Sequence, residues 1–165
     1  MLKRRELLLT SAALVSAPRY QDIAPERIPE VELERGRLRV VAGSAEGKSG
    51  PVTGIDVEPL FVDVTLDKGG ALSLPMPARH SAFVFVTDGS MRVGTTREEV
   101  KKGHLAVLSD GEVLQFEGEQ GRALVLAGRP IGEPVSRWGP FVMNTDEEIR
   151  QAIDDYRSGR LVKPL

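Results

Sequence analysis

The sequence predicts an all-β protein, folded as a single barrel or jelly roll with one α-helix at its C-terminal end. Three observations carry this prediction. Turn-forming residues are frequent, with 17 Gly and 11 Pro in 165 residues. Short runs of strand-forming residues recur about every ten residues, which is typical of sandwiches and barrels. Only one segment, near the C-terminus, has helical periodicity.

The composition excludes several classes of function. Lys and Arg number 22 and Asp and Glu number 24, so the net charge of −2 disfavours nucleic acid as a partner, because a phosphate-backbone binder presents a basic face. The absence of cysteine excludes disulfides, zinc–thiolate sites and thiol nucleophiles. Because the chain has only two histidines, His80 and His104, three imidazoles cannot meet at one metal within it.

Residues 1–17 read as a leader or signal-like segment. The basic run Lys3-Arg4-Arg5 precedes an apolar stretch that ends at Ala17 and is too short for a stable membrane span. One interpretation is a twin-arginine export signal with Val15-Ser16-Ala17 as its cleavage triplet. The other is a short amphiphilic leader produced by the chosen start site. Pro18 directly after the triplet disfavours cleavage there.

Residues 18–36 are predicted to form an extended N-terminal arm, because Pro18, Pro25 and Pro29 prevent a long helix. The main domain, 37–165, begins with the first of several strand-like runs that alternate with glycine-containing turns. The predicted strands are 37–41, 60–66, 82–86, 91–93, 104–108, 113–116 and 123–127.

The C-terminal helix is predicted from its caps and its apolar face. Asn144 or Thr145 can cap its N-terminus, and Glu147 or Glu148 can complete a capping box. Gly159 is expected to end it. The apolar face consists of Ile149, Ala152, Ile153 and Tyr156.

Residues 42–49 match a relaxed phosphate-loop pattern that ends in Gly47-Lys48-Ser49 and follows a predicted strand. Phosphate binding requires a helix to begin directly after this pattern, so that its free N–H groups face the phosphates. Gly50-Pro51 follows instead. A plain glycine-rich turn is therefore favoured over nucleotide binding.

The glycines of the strand region have the spacing of the two cupin motifs. Gly70 and Gly89 bound the first motif, and Gly103 and Gly111 fit the second. The glycines of both motifs are present in this sequence, but the metal-ligand residues are not. Alkyl and thioether groups cannot replace imidazole or carboxylate around a divalent ion. The positions that carry metal ligands in cupins are occupied here by Met76, Ala78, Ala82 and Leu114.

The resemblance places these four positions inside a barrel, where they make the interior apolar. Strand alternation then directs Phe83 and Phe85 outwards, where they need a cover. His80 is interpreted as a loop or hydrogen-bonded residue in preference to a ligand. The pocket lining predicted on this basis is Met76, Ala78, His80, Ala82, Val84, Leu114 and Phe116.

The tail narrows the resemblance to one family. Segments 128–135 and 138–145, the helix that follows, and segments 18–23 and 43–52 resemble the corresponding parts of pirins. The chain is identified as a member of the pirin family, resembling its C-terminal cupin domain only, which implies a single cupin-type β-barrel. Pirins contain two cupins. The first holds iron through histidines and a glutamate, and some members are quercetin 2,3-dioxygenases, whereas the second lacks metal ligands.

The resemblance and the lost ligands favour a metal-free, non-catalytic binding or protein-interaction module without a cofactor. The alternative is part of a quercetin 2,3-dioxygenase-like enzyme, with iron held by a separate metal-bearing cupin chain or bound through His80 across a dimer. We expect a small apolar ligand in the pocket, and a homodimer or a separate cupin chain as the cover of the outer apolar surface. The family resemblance implies a cytoplasmic protein, and the twin-arginine-like segment implies export as the alternative.

Overall fold

The computed structural model describes residues 20–161, so the predicted leader segment, 1–17, lies outside the described residues. The described residues form two compact units, divided between Pro130 and Ile131, where the sequence predicts one domain from 37 to 165. The first unit consists of β-strands, and the second of a hairpin and a helix. Within the described residues, no helix has the length and apolar character needed to cross a membrane.

The first unit contains ten strands, preceded by one short 3₁₀ turn at Pro25–Arg27. The predicted N-terminal arm, 18–36, contributes β1, which pairs with β2. The strands are β1 (Glu30–Leu33), β2 (Gly36–Ala42), β3 (Ser44–Ala45), β4 (Lys48–Ser49), β5 (Leu60–Leu66), β6 (Ala71–Pro75), β7 (Ser81–Val93), β8 (Glu98–Lys101), β9 (Leu105–Val107) and β10 (Val113–Gly128).

Eight of these strands form one antiparallel sheet that two long strands, β7 and β10, divide into two halves. The wide half contains β1, β2, β5 and β9, together with the first part of β7 and the last part of β10. The narrow half contains β6 and β8, together with the remaining parts of β7 and β10. Strands that pass from one half to the other are the means by which jelly rolls enclose a core.

Glycines make the bends in the two long strands possible. Gly89 lies where β7 leaves the wide half and has φ of 61°. A Cβ atom added there would lie 1.9 Å from the carbonyl oxygen of Gln120 on β10. The β7–β10 register shifts between Gly118 and Gly121, which bends β10 at the same level.

The core follows the two-residue alternation of strands. In β5, Leu60, Val62, Val64 and Leu66 are buried and the intervening side chains are half-buried. The same alternation buries side chains from both halves of the sheet in one apolar cluster. No polar or charged residue is buried among the described residues. Polar and charged side chains that could bind a ligand therefore lie in loops and on the outer faces of the sheet.

An ion pair crosses the outer side of the wide half. Arg122 of β10 donates two hydrogen bonds to the carboxylate of Asp63 on β5, over 2.8 and 2.5 Å. The Asp63 side chain is only 11% exposed, and its hydrogen bonds and charge raise the pKa of Arg122. The bidentate geometry fixes the pairing of the two central strands.

The second unit consists of β11 (Ser136–Trp138), β12 (Phe141–Met143) and α1 (Asp146–Arg157). Thr145 caps the helix, because its hydroxyl oxygen accepts from the Glu148 backbone N–H and the Glu148 carboxylate accepts from that of Thr145. The predicted capping box is therefore confirmed. Of the predicted apolar face, Ile149 and Ala152 are buried, and Tyr156 is largely exposed with its ring edge-on to Phe141 at 6.1 Å.

Candidate functional site

A cavity of about 420 Å³ lies at one end of the β-sheet unit. Three loops surround it: 76–80 between β6 and β7, 94–97 between β7 and β8, and 108–112 between β9 and β10. We call it the mouth cavity. Its apolar wall consists of Met76, Ala82, Val93, Val100, Ala106, Val107, Leu108, Val113 and Leu114. Its polar rim consists of Thr95, Thr96, Glu98, Ser109 and Asp110.

The structure separates the predicted pocket residues into three groups. Met76, His80, Ala82 and Leu114 line the mouth cavity. Ala78 is exposed and does not line it, and Val84 and Phe116 are fully buried in the core. The side chains of Val84 and Phe116 face inward, as strand alternation predicts. They pack in the core and do not line the cavity.

His80 is engaged with backbone carbonyl groups. Its Nδ1 lies 3.2 Å from the carbonyl oxygen of Ala78, and its Nε2 lies 3.1 Å from that of Glu58. Each ring nitrogen thus lies within hydrogen-bond distance of a carbonyl oxygen, and a neutral imidazole can donate to one of the two. The contact with Glu58 connects the loop before β5 to the loop before β7. This geometry agrees with the interpretation of His80 as a hydrogen-bonded loop residue.

The resemblance to cupins implies iron, and the side chains at the mouth cavity do not fit it. Met76 offers a thioether, which is a soft ligand, and Ala82 and Leu114 offer no donor atom. No group of three or more His, Asp or Glu side chains suited to a metal ion occurs within residues 20–161. His104, the other histidine, lies at the turn before β9, where its Nδ1 is 3.2 Å from the carbonyl oxygen of Lys102.

The polar rim is negatively charged. Glu98 and Asp110 are exposed, and neither forms an ion pair or a side-chain hydrogen bond with any described residue. No Lys or Arg lines the cavity. Arg97, in one of the three loops, pairs with Glu117 over 2.9 Å, which neutralises its charge locally. The rim therefore combines two free carboxylates with the hydroxyl groups of its Thr and Ser residues.

An apolar outer face covers part of the wide half. Phe83 and Phe85 of β7 are half-buried there, and they pair with Leu126 and Leu124 of β10 on one side and with Val107 and Leu105 of β9 on the other. Leu105 is 52% exposed and Val107 is 78% exposed. Strand β9 pairs only with β7 among the described residues, so its other edge has no strand partner there.

Sequence reasoning did not identify the rim. The sequence predicts a solvated pair for Glu98-Glu99 and a turn for Asp110-Gly111. The available signal is position: Glu98 begins β8 directly after a turn, Asp110 lies in the loop before β10, and both strands contribute to the cavity wall. The phosphate-loop pattern at 42–49 forms the β3–β4 hairpin with no helix after it, which agrees with the favoured glycine-rich turn.

Comparison with known proteins shows the family. The model of the pirin C-terminal cupin domain matches residues 61–162. A Vibrio cholerae protein named "putative quercetin 2,3-dioxygenase" is 42% identical over 151 residues, which cover 88% of this chain and 53% of the relative. Human pirin is 33% identical over 157 residues, covering 92% of this chain and 54% of that protein.

Solved structures agree with the sequence relatives. The crystal structure of a quercetin 2,3-dioxygenase from Acinetobacter baumannii is 33% identical, with a TM-score of 0.79 over 89% of this chain and 52% of that one. The chain thus spans about half the length of the relatives that it matches. The fold is the mostly-β cupin fold with one helix, as the sequence predicts. The chain therefore belongs to the pirin family, with residues 61–162 matching its C-terminal cupin domain.

Proposed function

We propose that this domain is a metal-free binding module whose mouth cavity takes up a small, largely apolar molecule. The observation that carries the proposal is the chemistry of the cavity wall, where Met76, Ala82 and Leu114 occupy three of the positions that hold metal ligands in other cupins. These side chains favour apolar contact and do not bind a hard or borderline cation.

The size of the cavity supports uptake of a molecule rather than a single ion. Pockets for small organic molecules measure about 300–1,000 Å³, and the mouth cavity, at about 420 Å³, lies within this range. Its wall contains aliphatic side chains from the strands, and its hydroxyl groups are confined to the rim. An occupant would bury an apolar body against the wall and keep its polar end near the loops.

A second candidate function is supported by the names of the relatives. Proteins named "putative quercetin 2,3-dioxygenase" are 42% and 40% identical to this chain, which covers about half of each. In this case the domain would act beside an iron-bearing cupin, and iron chemistry would take place in that other cupin. The mouth cavity would then hold a substrate, a product or nothing.

Metal content and dye binding test the first proposal. We expect the purified chain, dialysed against a chelator, to contain far less than one equivalent of iron, copper or nickel by mass spectrometry. The uncharged dye Nile red should bind with enhanced fluorescence. Ser109→Trp, which fills the rim, should abolish this signal, and Ser73→Trp, an exposed residue outside the cavity lining, should leave it unchanged.

The results that contradict the proposal are distinct from those that support the second candidate. Stoichiometric metal after dialysis, or absence of dye binding by a folded chain, would overturn the metal-free binding module. Iron-dependent loss of quercetin absorbance by this chain alone, abolished by His80→Ala but not by Arg79→Ala, would instead establish an active site that includes the histidine. Arg79 is a matched control because it neighbours His80 and does not line the cavity.

A further inference from the structure

The mouth cavity is lined by acidic side chains and by no Lys or Arg side chain. Two carboxylates, Glu98 and Asp110, line the rim, and no Lys or Arg does. On the same strands and loops, two acidic side chains outside the cavity lining have basic partners: Glu117 pairs with Arg97 over 2.9 Å, and Glu99 pairs with Lys101 over 3.7 Å. Glu112 of loop 108–112 is exposed and, like the rim carboxylates, has no such partner among the described residues. The two rim carboxylates remain without such partners among the described residues.

The basic side chains of the three surrounding loops do not form ion pairs with the two rim carboxylates. Arg97 lies in loop 94–97, and its guanidinium is already paired with Glu117. Arg79 lies in loop 76–80 and is exposed, but it is absent from the cavity lining. His80 lines the cavity and directs both ring nitrogens at backbone carbonyl oxygens. An anionic ligand in the cavity would meet two carboxylates and no Lys or Arg among the lining residues.

The rim also offers acceptors in excess of donors. Each carboxylate accepts hydrogen bonds and donates none, and the hydroxyl groups of Thr95, Thr96 and Ser109 can accept as well as donate. A ligand group that carries several N–H or O–H donors therefore satisfies this rim better than a carboxylate or a phosphate. The apolar wall behind the rim requires the remainder of the molecule to be hydrocarbon-like.

We propose that the mouth cavity selects amphiphilic amines, molecules with an apolar body and a cationic head that donates hydrogen bonds to Glu98 and Asp110. This inference rests on the proposed binding function and adds the class of ligand. The occupant is defined by charge complementarity at the rim together with apolar contact at the wall. Because both carboxylates are exposed, the electrostatic contribution is modest and decreases with salt.

Three compounds with one body and different heads provide the test: phenylbutylamine, phenylbutanol and phenylbutyrate, each used to displace Nile red at neutral pH. We expect the amine to bind about tenfold more tightly than the carboxylate, with the alcohol between them, because two exposed carboxylates attract one head and repel the other. High salt should reduce the difference.

A double variant assigns the effect to the rim. In Glu98→Gln with Asp110→Asn, the three compounds should bind about equally, because the charge is lost while size and polarity are retained. Glu99→Gln is the matched control, since Glu99 pairs with Lys101 and does not line the cavity. It should preserve the order of the three affinities.

The outcomes separate this inference from the function on which it rests. Equal displacement by all three compounds in the unmodified chain, or an amine preference that survives the double variant, would overturn the selectivity and leave the binding function standing. Tightest binding of phenylbutyrate would overturn it as well. A folded chain that binds neither Nile red nor any of the three compounds would overturn both.

Discussion

The bend of β7 at Gly89 predicts a large loss of stability in Gly89→Ala. The residue has φ of 61°, and a Cβ atom would lie 1.9 Å from the carbonyl oxygen of Gln120 and 2.9 Å from the Cα of Gly121. The left-handed conformation alone costs about 1–2 kcal/mol in a non-glycine residue. Relief of the overlap requires β7 and β10 to move apart, which typically costs a further ~1–3 kcal/mol. We expect the free energy of unfolding to fall by about 2–5 kcal/mol in total.

Gly94→Ala is the matched control for this prediction. Gly94 has φ of 77°, but no atom lies within 4 Å of its added Cβ. The control should therefore lose only the conformational part, about 1–2 kcal/mol. Urea unfolding followed by far-ultraviolet circular dichroism measures both, because it detects the loss of the β-strands directly, whereas the single tryptophan, Trp138, belongs to the other unit. Equal losses in the two variants would refute the argument from close approach.

Three further predictions concern a surface ion pair, a helix cap and self-association. Lys102→Ala should raise the pKa of Asp88 towards its ordinary range, because the Lys102 ammonium, 3.1 Å from its Oδ1, lowers that pKa by hydrogen bonding and by charge; carboxyl NMR titration measures this. Thr145→Ala should destabilise α1 by about 1 kcal/mol, seen as faster hydrogen exchange in its first turn. The chain should form a homodimer through β9, because its outer edge has no strand partner among the described residues and its exposed Leu105 and Val107 can pack against a second copy. Lysine at both positions should give a monomer in light scattering.

Each of these predictions has a result that contradicts it. The stabilisation from the lowered pKa of Asp88 is present above the ordinary pKa and disappears as the pH falls through the lowered one, so an identical acid limb of unfolding with and without Lys102 would contradict the assigned role. Thr145→Ser retains the capping oxygen, so its first helical turn should exchange hydrogen as slowly as in the unmodified chain. Exchange as fast as in Thr145→Ala would contradict the capping role. A clean monomer of the unmodified chain at micromolar concentrations would refute dimerisation.

The helix and the central strand were predictable because their signals are local. Thr145 and Glu148 lie three residues apart, and the capping box needs nothing from the rest of the chain. The predicted strand 60–66 coincides with β5, Leu60–Leu66, because a strand packed against a core on one face alternates apolar and polar residues along its whole length. In both elements the sequence contains all of the determinants.

The long strands were predicted as separate pieces for a physical reason. Asp88-Gly89 reads as a turn that divides 82–86 from 91–93, yet β7 runs continuously from Ser81 to Val93 and only bends there. Glycine permits a hairpin and a bend equally, and only the proximity of Gln120 on β10 distinguishes them. Strand β6, Ala71–Pro75, was missed although Leu72 and Leu74 alternate, because proline residues and a second turn follow closely.

The wall and the rim of the mouth cavity differ in how far sequence could predict them. Glycine spacing located Met76, Ala82 and Leu114, because the strands between those glycines have fixed lengths and carry their side chains to predictable faces. Glu98 begins β8 and Asp110 lies in loop 108–112, so the two are separated in sequence, and their common position depends on how β7 and β10 bend. Charged residues next to turns are usually solvated, so the local sequence does not predict that Glu98 and Asp110 line the same cavity.

Substitutions at the wall and at the rim of the mouth cavity differ in what they cost in stability. The core contains no buried polar residue among those described, so Ala82 and Leu114 contribute to stability and to the cavity at once, and a polar substitution there would bury an unpaired group. The rim residues Glu98 and Asp110 are exposed and form no ion pair or side-chain hydrogen bond with another residue of the described part of the chain. Substitutions at the rim can therefore alter the preferred head group at little cost in stability, whereas restoration of a metal site at the wall requires several compensating changes at once.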